Sequence, residues 1–141
     1  SQPHRHLQLL PRHRGEPRCP LEASLQWQLQ QPAARWPWAY ALSRRSAFGG
    51  AEELNTLYKS HADALGLGCQ HHDPQPLHPY NLLFSDDWFM TVRRRKEHQA
   101  GFSINALAFA GYLLATESSQ LDWLSRQGPW QLLEEVAEPA G

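Results

Sequence analysis

Cysteine and methionine are scarce in this 141-residue sequence, which contains two cysteines and one methionine. Cys19 and Cys69 lie far apart and form no Cys-x-x-Cys pair. A small secreted scaffold held together by disulfides would carry more cysteines. We therefore expect reduced thiols and a cytoplasmic protein.

Long apolar runs and an excess of charge are also missing. A membrane-spanning helix needs roughly 18 consecutive apolar residues, and the sequence has no such run. Its first residues lack the charged lead and apolar core of a secretory signal, so we expect no leader. Thirteen basic residues against fourteen acidic ones give a formal net charge of -1. Such a balance argues against bulk electrostatic binding, so we expect neither a membrane nor a nucleic acid as partner.

Aromatic residues, by contrast, are plentiful. Hydrophobic residues make up 41% of the sequence and aromatic residues 11%, with six tryptophans. This composition indicates a folded chain about one domain long, whose tryptophans belong to its core or to an interface.

Several short segments alternate polar and apolar residues, which is the pattern of a half-buried strand. They span residues 4–10, 25–29 and 38–43. Residues 80–84 and 88–92 flank a Ser-Asp-Asp turn and predict a β-hairpin. The mostly apolar segment 101–116 predicts a strand at its end, over Tyr112–Ala115.

Helical spacing of apolar residues begins at residue 51 and stops at Gly66 and Gly68. His61 lies on the apolar face of this helix, which is typical of a hydrogen-bonded core histidine. Ser119 with Asp122 resembles a capping box opening a helix through Arg126. A last short helix follows Gly128-Pro129. The predicted fold class is α+β, with antiparallel strands and helices clustered late.

The first eight residues, Ser-Gln-Pro-His-Arg-His-Leu-Gln, carry the chemistry. Side chains alternate between the two faces of a strand, so His4, His6 and Gln8 would point the same way. A neutral imidazole is a good nucleophile and can attack phosphorus. The Gln8 amide can donate a hydrogen bond to a phosphoryl oxygen without titrating. Ser1 can add a hydroxyl contact.

This pattern resembles the histidine-triad superfamily, whose hydrolases read His-x-His-x-His. Gln8 at the third position resembles the transferase branch, in which the middle histidine is the nucleophile. The resemblance therefore implies His6 as nucleophile, His4 as an orienting residue and Gln8 as the residue that holds the transferred group. It also implies phosphate contacts by Ser1 and Gln2.

Two further segments, residues 79–90 and 104–111, resemble the C-terminal domain of the diadenosine-polyphosphate phosphorylases, or ATP adenylyltransferases. Residues 121–136 continue this resemblance. The family pattern Val-Pro-Arg-Ser is here Val-Arg-Arg-Arg, and we align Arg94 with the family arginine. Arg94 and Lys96 are candidates for neutralising a polyphosphate.

The resemblance implies a nucleotidyltransferase that cleaves diadenosine tetraphosphate with inorganic phosphate to ATP and ADP. These nucleotides and phosphate would be the partners, and a divalent cation accompanying the polyphosphate stays an open expectation. The fold would be of the histidine-triad-like type, truncated at its N-terminus. Residues 1–24 would end the catalytic domain, and residues 25–141 would form the ATP adenylyltransferase C-terminal domain. We expect this chain alone to be inactive, because neighbouring strands that aim the motif would lie upstream.

Four alternatives accompany this interpretation. The protein could be a non-catalytic remnant that binds a nucleotide or a partner, or a hydrolase that uses water as acceptor. The basic turn at Arg94 and Lys96 could be merely solvated. His71, His72, Asp73 and His78, near Cys69, could form a metal cluster, but this stretch lacks the paired spacing of zinc ligands. We therefore expect a solvent loop there and no metal site.

Overall fold

The computed structural model describes residues 7–69 and 72–141. Ten helices and strands follow one another along the described chain. Their bounds are α1 Glu22–Gln30, β1 Tyr40–Arg44, α2 Gly50–Ala64, β2 Tyr80–Phe84, β3 Trp88–Arg93, β4 His98–Gln99, β5 Phe102–Ser103, α3 Ala106–Ala110, α4 Leu121–Gln127 and α5 Pro129–Val136.

An antiparallel sheet in the order β1-β3-β2 organises the fold, and β4 pairs with β5 in a small separate hairpin. The first five residues of β3, from Trp88 to Val92, are all buried. A strand covered on both faces reads as a continuous apolar run, which explains this stretch of sequence. The predicted α+β class is therefore confirmed, and three of the five described helices follow the last strand.

The two faces of the sheet pack against different layers. Trp38, Tyr40, Met90 and Val92 belong to the main core, which also takes in residues of α1, α3 and α5. The opposite face packs against α2, where a smaller cluster is centred on Leu65. The sheet is thus the middle layer of three.

Several predicted elements are confirmed. The strand expected over 38–43 is β1, the helix expected over 51–66 is α2, and the hairpin is β2 with β3. Ser85 Oγ accepts bonds from the Asp87 and Trp88 amides, 3.1 and 3.4 Å away, which closes the hairpin turn. The last short helix is α5, with Pro129 at its first turn.

The strand predicted over 25–29 is wrong, because this segment lies within α1. Leu25 is fully buried and Leu29 packs against the main core, whereas Trp27 is 52% exposed. Leucines four residues apart share one face of a helix, yet they also fit an alternating strand pattern. In so short a segment the two periods cannot be told apart.

The strand predicted over Tyr112–Ala115 is also wrong, because the apolar segment before it forms α3. The Asn105 side chain caps this helix by accepting a bond from the Leu107 amide at 3.0 Å. Gly111 ends it in the left-handed conformation, with φ 108°. The chain then continues without regular structure, and Leu114 is 77% exposed.

The predicted capping box at Ser119 is wrong, although the helix it was expected to open exists as α4. Ser119 Oγ accepts a bond from the Thr116 amide at 2.8 Å and donates to the Gly101 carbonyl at 3.3 Å. The hydroxyl therefore closes a local turn and ties it to the β4–β5 hairpin. Gln120 occupies the N-cap position and makes no side-chain capping bond.

The strand predicted over 4–10 is not formed by its described part, residues 7–10, which are exposed and irregular. Within this part, Leu7 and Leu9 are 70% and 83% exposed. No neighbouring strand pairs with them, so their backbone gains no ladder bonds and their side chains gain no burial. Residues 4–6 lie outside the described residues.

Cys19 and Cys69 carry free thiols, as expected; the first is buried and the second exposed. No helix among residues 7–69 and 72–141 is long and apolar enough to cross a membrane.

His61 joins α2 to the sheet, and its prediction as a core histidine is confirmed by an exposure of 3%. Its Nε2 lies 2.8 Å from Ser43 Oγ, and its Nδ1 lies 3.0 Å from Thr91 Oγ1. The imidazole also meets the Phe89 ring edge-on at 5.1 Å. Burial disfavours the charged form and lowers the pKa of His61 from 6.5 to about 4.

We predict that this histidine makes folding stability depend on pH. Between about pH 6.5 and pH 4 the unfolded chain binds a proton on His61 that the folded chain rejects. The contribution of His61 to the free energy of unfolding is therefore fully present above about pH 6.5 and is lost as the pH falls toward 4. The loss should approach ~3 kcal/mol, measured by denaturant unfolding across this range.

His61→Gln should flatten this pH dependence, even though it lowers stability at neutral pH. His98→Gln is the matched control, because the His98 side chain is 66% exposed. The prediction is wrong if the His61 variant retains the slope of the unchanged protein.

Candidate functional site

The residues of the predicted nucleotidyl-transfer motif lie mostly outside the described part of the chain. Ser1, Gln2, His4 and His6 are among residues 1–6, of which nothing is described. Gln8 is described and lies in an exposed, irregular segment. The roles predicted for these five residues stay predictions.

The basic turn after β3 has two kinds of cation. Arg94 is half-buried, and its Nη1 donates to the carbonyl of Ile104 at 3.1 Å. Burial lowers the pKa of Arg94. Lys96 is exposed, and its Nζ donates to the Gln99 side chain at 2.6 Å. Arg94 is thus partly engaged by the core, whereas the Lys96 ammonium faces solvent.

The residues that were weighed as metal ligands all lie between α2 and β2 in the sequence. The Cys69 amide donates to Asp73 Oδ2 at 2.7 Å, so this carboxylate closes a local turn. Among residues 7–69 and 72–141, no group of three His, Cys, Asp or Glu side chains could hold a metal ion. His71 lies outside the described residues.

A cleft of about 490 Å³ runs along β1 and is named the β1 cleft. It is lined by Arg35, residues 38–43, residues 140–141 and, from α2 and its C-terminal end, Ser60, His61, Ala64 and Leu65. In the order β1-β3-β2 the strand β1 is an edge, so the cleft follows an open side of the sheet.

Inside the β1 cleft, a chain of hydrogen bonds leads from the sheet interior to the surface. Thr91 is fully buried on β3, His61 stands between the layers, and Ser43 is half-exposed on β1. Because the imidazole is neutral, one of its nitrogens carries a proton and the other accepts one. The chain can therefore orient the hydroxyl of Ser43, which lines the cleft.

Arg35 supplies the positive charge of the same cleft. Its Nη2 donates to the Tyr40 carbonyl at 2.8 Å, and its guanidinium carbon lies 4.5 Å from the centre of the Tyr40 ring. These contacts fix the side chain without neutralising it. No carboxylate in the described part of the chain lies within ion-pair distance of Arg35, which is exposed.

Sequence reasoning did not single out Arg35 or Ser43. A signal for Ser43 was present, because it alternates with Tyr40 and Leu42 and so lies on the face of β1 opposite to them. A hydrogen bond between the Ser43 hydroxyl and His61, which lies on the apolar face of the predicted helix, could therefore have been considered from the sequence. Arg35 gave no such signal.

No curated protein and no solved structure matches this chain. The profile of the ATP adenylyltransferase C-terminal domain family matches residues 34–139. This span holds the three-stranded sheet, the basic turn and most of the β1 cleft. It also covers the segments 79–90 and 104–111, on which the predicted resemblance rested, and so confirms it. The chain belongs to the ATP adenylyltransferase C-terminal domain family.

Proposed function

We propose that this protein is a nucleotidyltransferase that converts diadenosine tetraphosphate and inorganic phosphate to ATP and ADP. In reverse it would act as an ATP adenylyltransferase. The observation that carries the proposal is the family match over residues 34–139, downstream of a His4-x-His6-x-Gln8 motif in the same chain. The family supports nucleotidyl transfer, and the motif supplies a nucleophile for it.

The proposed reaction has two displacement steps at one phosphorus atom. His6 attacks an α-phosphorus of the dinucleotide, the bond to the bridging oxygen breaks, and ATP leaves. An oxygen of inorganic phosphate then attacks the adenylylated histidine, which releases ADP and the free imidazole. Such transfers depend mainly on positioning and on positive charge around the phosphoryl oxygens.

We propose that two parts of the chain contribute to this reaction. Residues 1–24 would end a histidine-triad-like catalytic domain and connect it to residues 25–141, the C-terminal domain. Cys19 and Leu21 already pack with the core of that second domain. A divalent cation bound to the polyphosphate would enter with the substrate. Free thiols at Cys19 and Cys69 support a cytoplasmic setting.

Covalent labelling tests the nucleophile. We expect diadenosine tetraphosphate to leave an acid-labile, alkali-stable adenylyl label on His6 in the full-length protein that carries this sequence. His6→Ala should abolish turnover, whereas His4→Ala, which removes an orienting group, should leave some. Label on another residue would refute the assignment.

The products distinguish the alternatives in the same assay. Phosphate-dependent formation of ATP and ADP supports the phosphorylase. ATP with AMP, formed without phosphate, would show a hydrolase. Absence of turnover and label in the full-length protein would show a non-catalytic relative.

The amide of Gln8 should matter for the rate. We expect Gln8→Ala to slow adenylyl transfer by roughly a hundredfold, the usual effect of removing one hydrogen bond to a developing oxyanion. Single-turnover kinetics measure this step. Gln30→Ala, at the exposed end of α1, is the control, and equal rates for the two variants would exclude a phosphoryl contact by Gln8.

Substitutions of Lys96 and Arg94 in the basic turn should both change KM but should differ in their effect on stability. Lys96→Gln should raise KM for the dinucleotide without changing stability, because Lys96 is exposed. Arg94→Gln should raise KM and also cost about 1–3 kcal/mol of stability, since it leaves the buried Ile104 carbonyl without its donor. Steady-state kinetics and denaturant unfolding measure both.

Lys59→Gln is the matched control for Lys96, because Lys59 is exposed on α2 and its side chain forms no hydrogen bond or ion pair with another residue of the described ranges. If Lys96→Gln and Lys59→Gln leave KM equally unchanged, the basic turn is only a solvated surface.

A further inference from the structure

The segment before α1 connects the nucleotidyl-transfer motif to the folded domain, and its end is anchored. Residues 7–17 are all exposed, and Arg18 is the first described residue that is partly buried. Cys19 is buried in the main core and Leu21 packs against that core. The Leu21 amide also donates to the Ala110 carbonyl at 3.0 Å. The chain toward the motif therefore leaves the domain at Arg18.

The Arg18 guanidinium binds three carboxylates that come from two places in the fold. Its Nε donates to Asp86 Oδ1 at 2.7 Å. Its Nη1 lies 2.7 Å from Glu22 Oε1 and 3.1 Å from Asp87 Oδ2. Asp86 and Asp87 lie in the β2–β3 turn, whereas Glu22 lies in the first turn of α1. These four residues are named the Arg18 clamp.

The Arg18 clamp fixes the backbone of the segment as well as one side chain. The Arg18 amide donates to Glu22 Oε2 at 2.6 Å, while the other oxygen of this carboxylate binds the guanidinium. Burial holds Cys19 in place but leaves open the direction from which the chain arrives. Because the amide and the side chain of Arg18 are both bound, the chain must arrive beside the β2–β3 turn.

The charges of the Arg18 clamp depend on one another. The hydrogen bond from Arg18 lowers the pKa of Asp86. Burial would raise the pKa of Glu22, yet hydrogen bonds from the Arg18 amide and guanidinium lower it below its usual value. Both carboxylates therefore stay ionised at neutral pH. Removing Arg18 would leave negative charges facing one another, which favours release of the segment.

A hydrogen-bonded turn precedes the Arg18 clamp. The Glu16 amide donates to the His13 carbonyl at 3.1 Å, and the His13 amide lies 3.3 Å from Glu16 Oε2. The Arg12 guanidinium donates to the Glu16 carbonyl. These bonds limit bending between Arg18 and the motif, so the direction set at Arg18 is carried further along the chain.

This direction matters because the proposed reaction brings the motif and the basic turn to one dinucleotide. The basic turn and the β2–β3 turn lie at opposite ends of β3, six residues or about 20 Å apart. Gln8 precedes Arg18 by ten residues, which span at most roughly 35 Å when extended. The motif can therefore reach the basic turn from the Arg18 clamp, but only if the chain turns back along the sheet.

We propose that Arg18 is a positioning residue for adenylyl transfer, because it fixes the direction in which the motif leaves the C-terminal domain. The reaction in this inference rests on the proposed function, whereas the Arg18 clamp depends only on the contacts of Arg18. Arg18 acts through the motif and does not touch the reacting atoms.

Nitrogen relaxation of the 141-residue chain tests the Arg18 clamp without requiring turnover. We expect backbone order parameters of roughly 0.8 for residues 13–18, with a fall toward about 0.6 when Asp86→Asn and Asp87→Asn are combined. Asparagine keeps the turn, because Ser85 Oγ binds only the backbone amides of Asp87 and Trp88. Unchanged order parameters in this double variant would overturn the clamp.

Single-turnover adenylyl transfer to His6 in the full-length protein tests the positioning role. Arg18→Gln should slow transfer roughly tenfold to a hundredfold, the usual effect of misdirecting a catalytic group, while KM for the dinucleotide stays within about twofold. The thermal midpoint should fall by only a few degrees, because the side chains of Asp86 and Asp87 are 77% and 50% exposed. Arg18→Lys, which keeps the charge but not the guanidinium geometry, should recover part of the rate.

Arg14→Gln is the matched control for Arg18→Gln. Arg14 is an exposed arginine of the same segment, and its side chain forms no hydrogen bond or ion pair with another residue of the described ranges. The control removes the same charge, so the transfer rate should stay within about twofold of that of the unchanged protein. Equal losses for the two variants would reduce the effect to general charge and overturn the proposal.

Three further outcomes would contradict the proposal, and they differ in what they leave standing. A slower transfer that is fully accounted for by unfolded Arg18→Gln protein would show a merely structural role. Normal labelling of His6 in Arg18→Gln would refute the positioning role and leave the proposed function standing. Absence of label in the unchanged full-length protein would refute the proposed function and the positioning role with it, while the relaxation experiment still decides whether the Arg18 clamp exists.

Discussion

The burial of β3 is the constraint on which the rest of the structure depends. Five consecutive side chains of this strand are buried, so both of its faces must be covered and both of its edges paired. β1 and β2 pair with the edges, α2 covers one face, and the main core with α1, α3 and α5 covers the other. Exposing either face would return large apolar side chains to water, which makes the layers mutually dependent.

One residue of that buried strand is polar, and its need for a partner links the core to the surface. Thr91 on β3 can be buried only with its hydroxyl bonded, and His61 of α2 supplies the bond. The imidazole must then satisfy its second nitrogen, and Ser43 on the edge strand does so. A requirement of folding thus links a buried hydroxyl of β3, through α2, to a half-exposed hydroxyl on the edge strand.

The predictable parts of the fold are those with an unambiguous local pattern. The hairpin β2–β3 follows from its turn residues, and α2 follows from its helical spacing. The segment of α1 was mistaken for a strand because Leu25 and Leu29 fit both periods, and only packing against the core decides between them. No local sequence pattern, by contrast, indicates the β1 cleft. Arg35, Ser43 and His61 come together only because β1 is the edge of the sheet beside α2.

Phosphoryl transfer needs positioned positive charge more than covalent help, so the arginines of this domain bear on the proposed function. Most arginines near the sheet are committed to the protein itself. Arg45 binds a glutamate and a backbone carbonyl, Arg93 donates to the Leu65 carbonyl, and Arg94 to that of Ile104. Each of these contacts secures one layer or turn to another. Arg35 differs in exposure, since it also donates to one backbone carbonyl but is exposed and lines the β1 cleft. The arginines next to the sheet therefore mostly hold the layers and turns of the domain together.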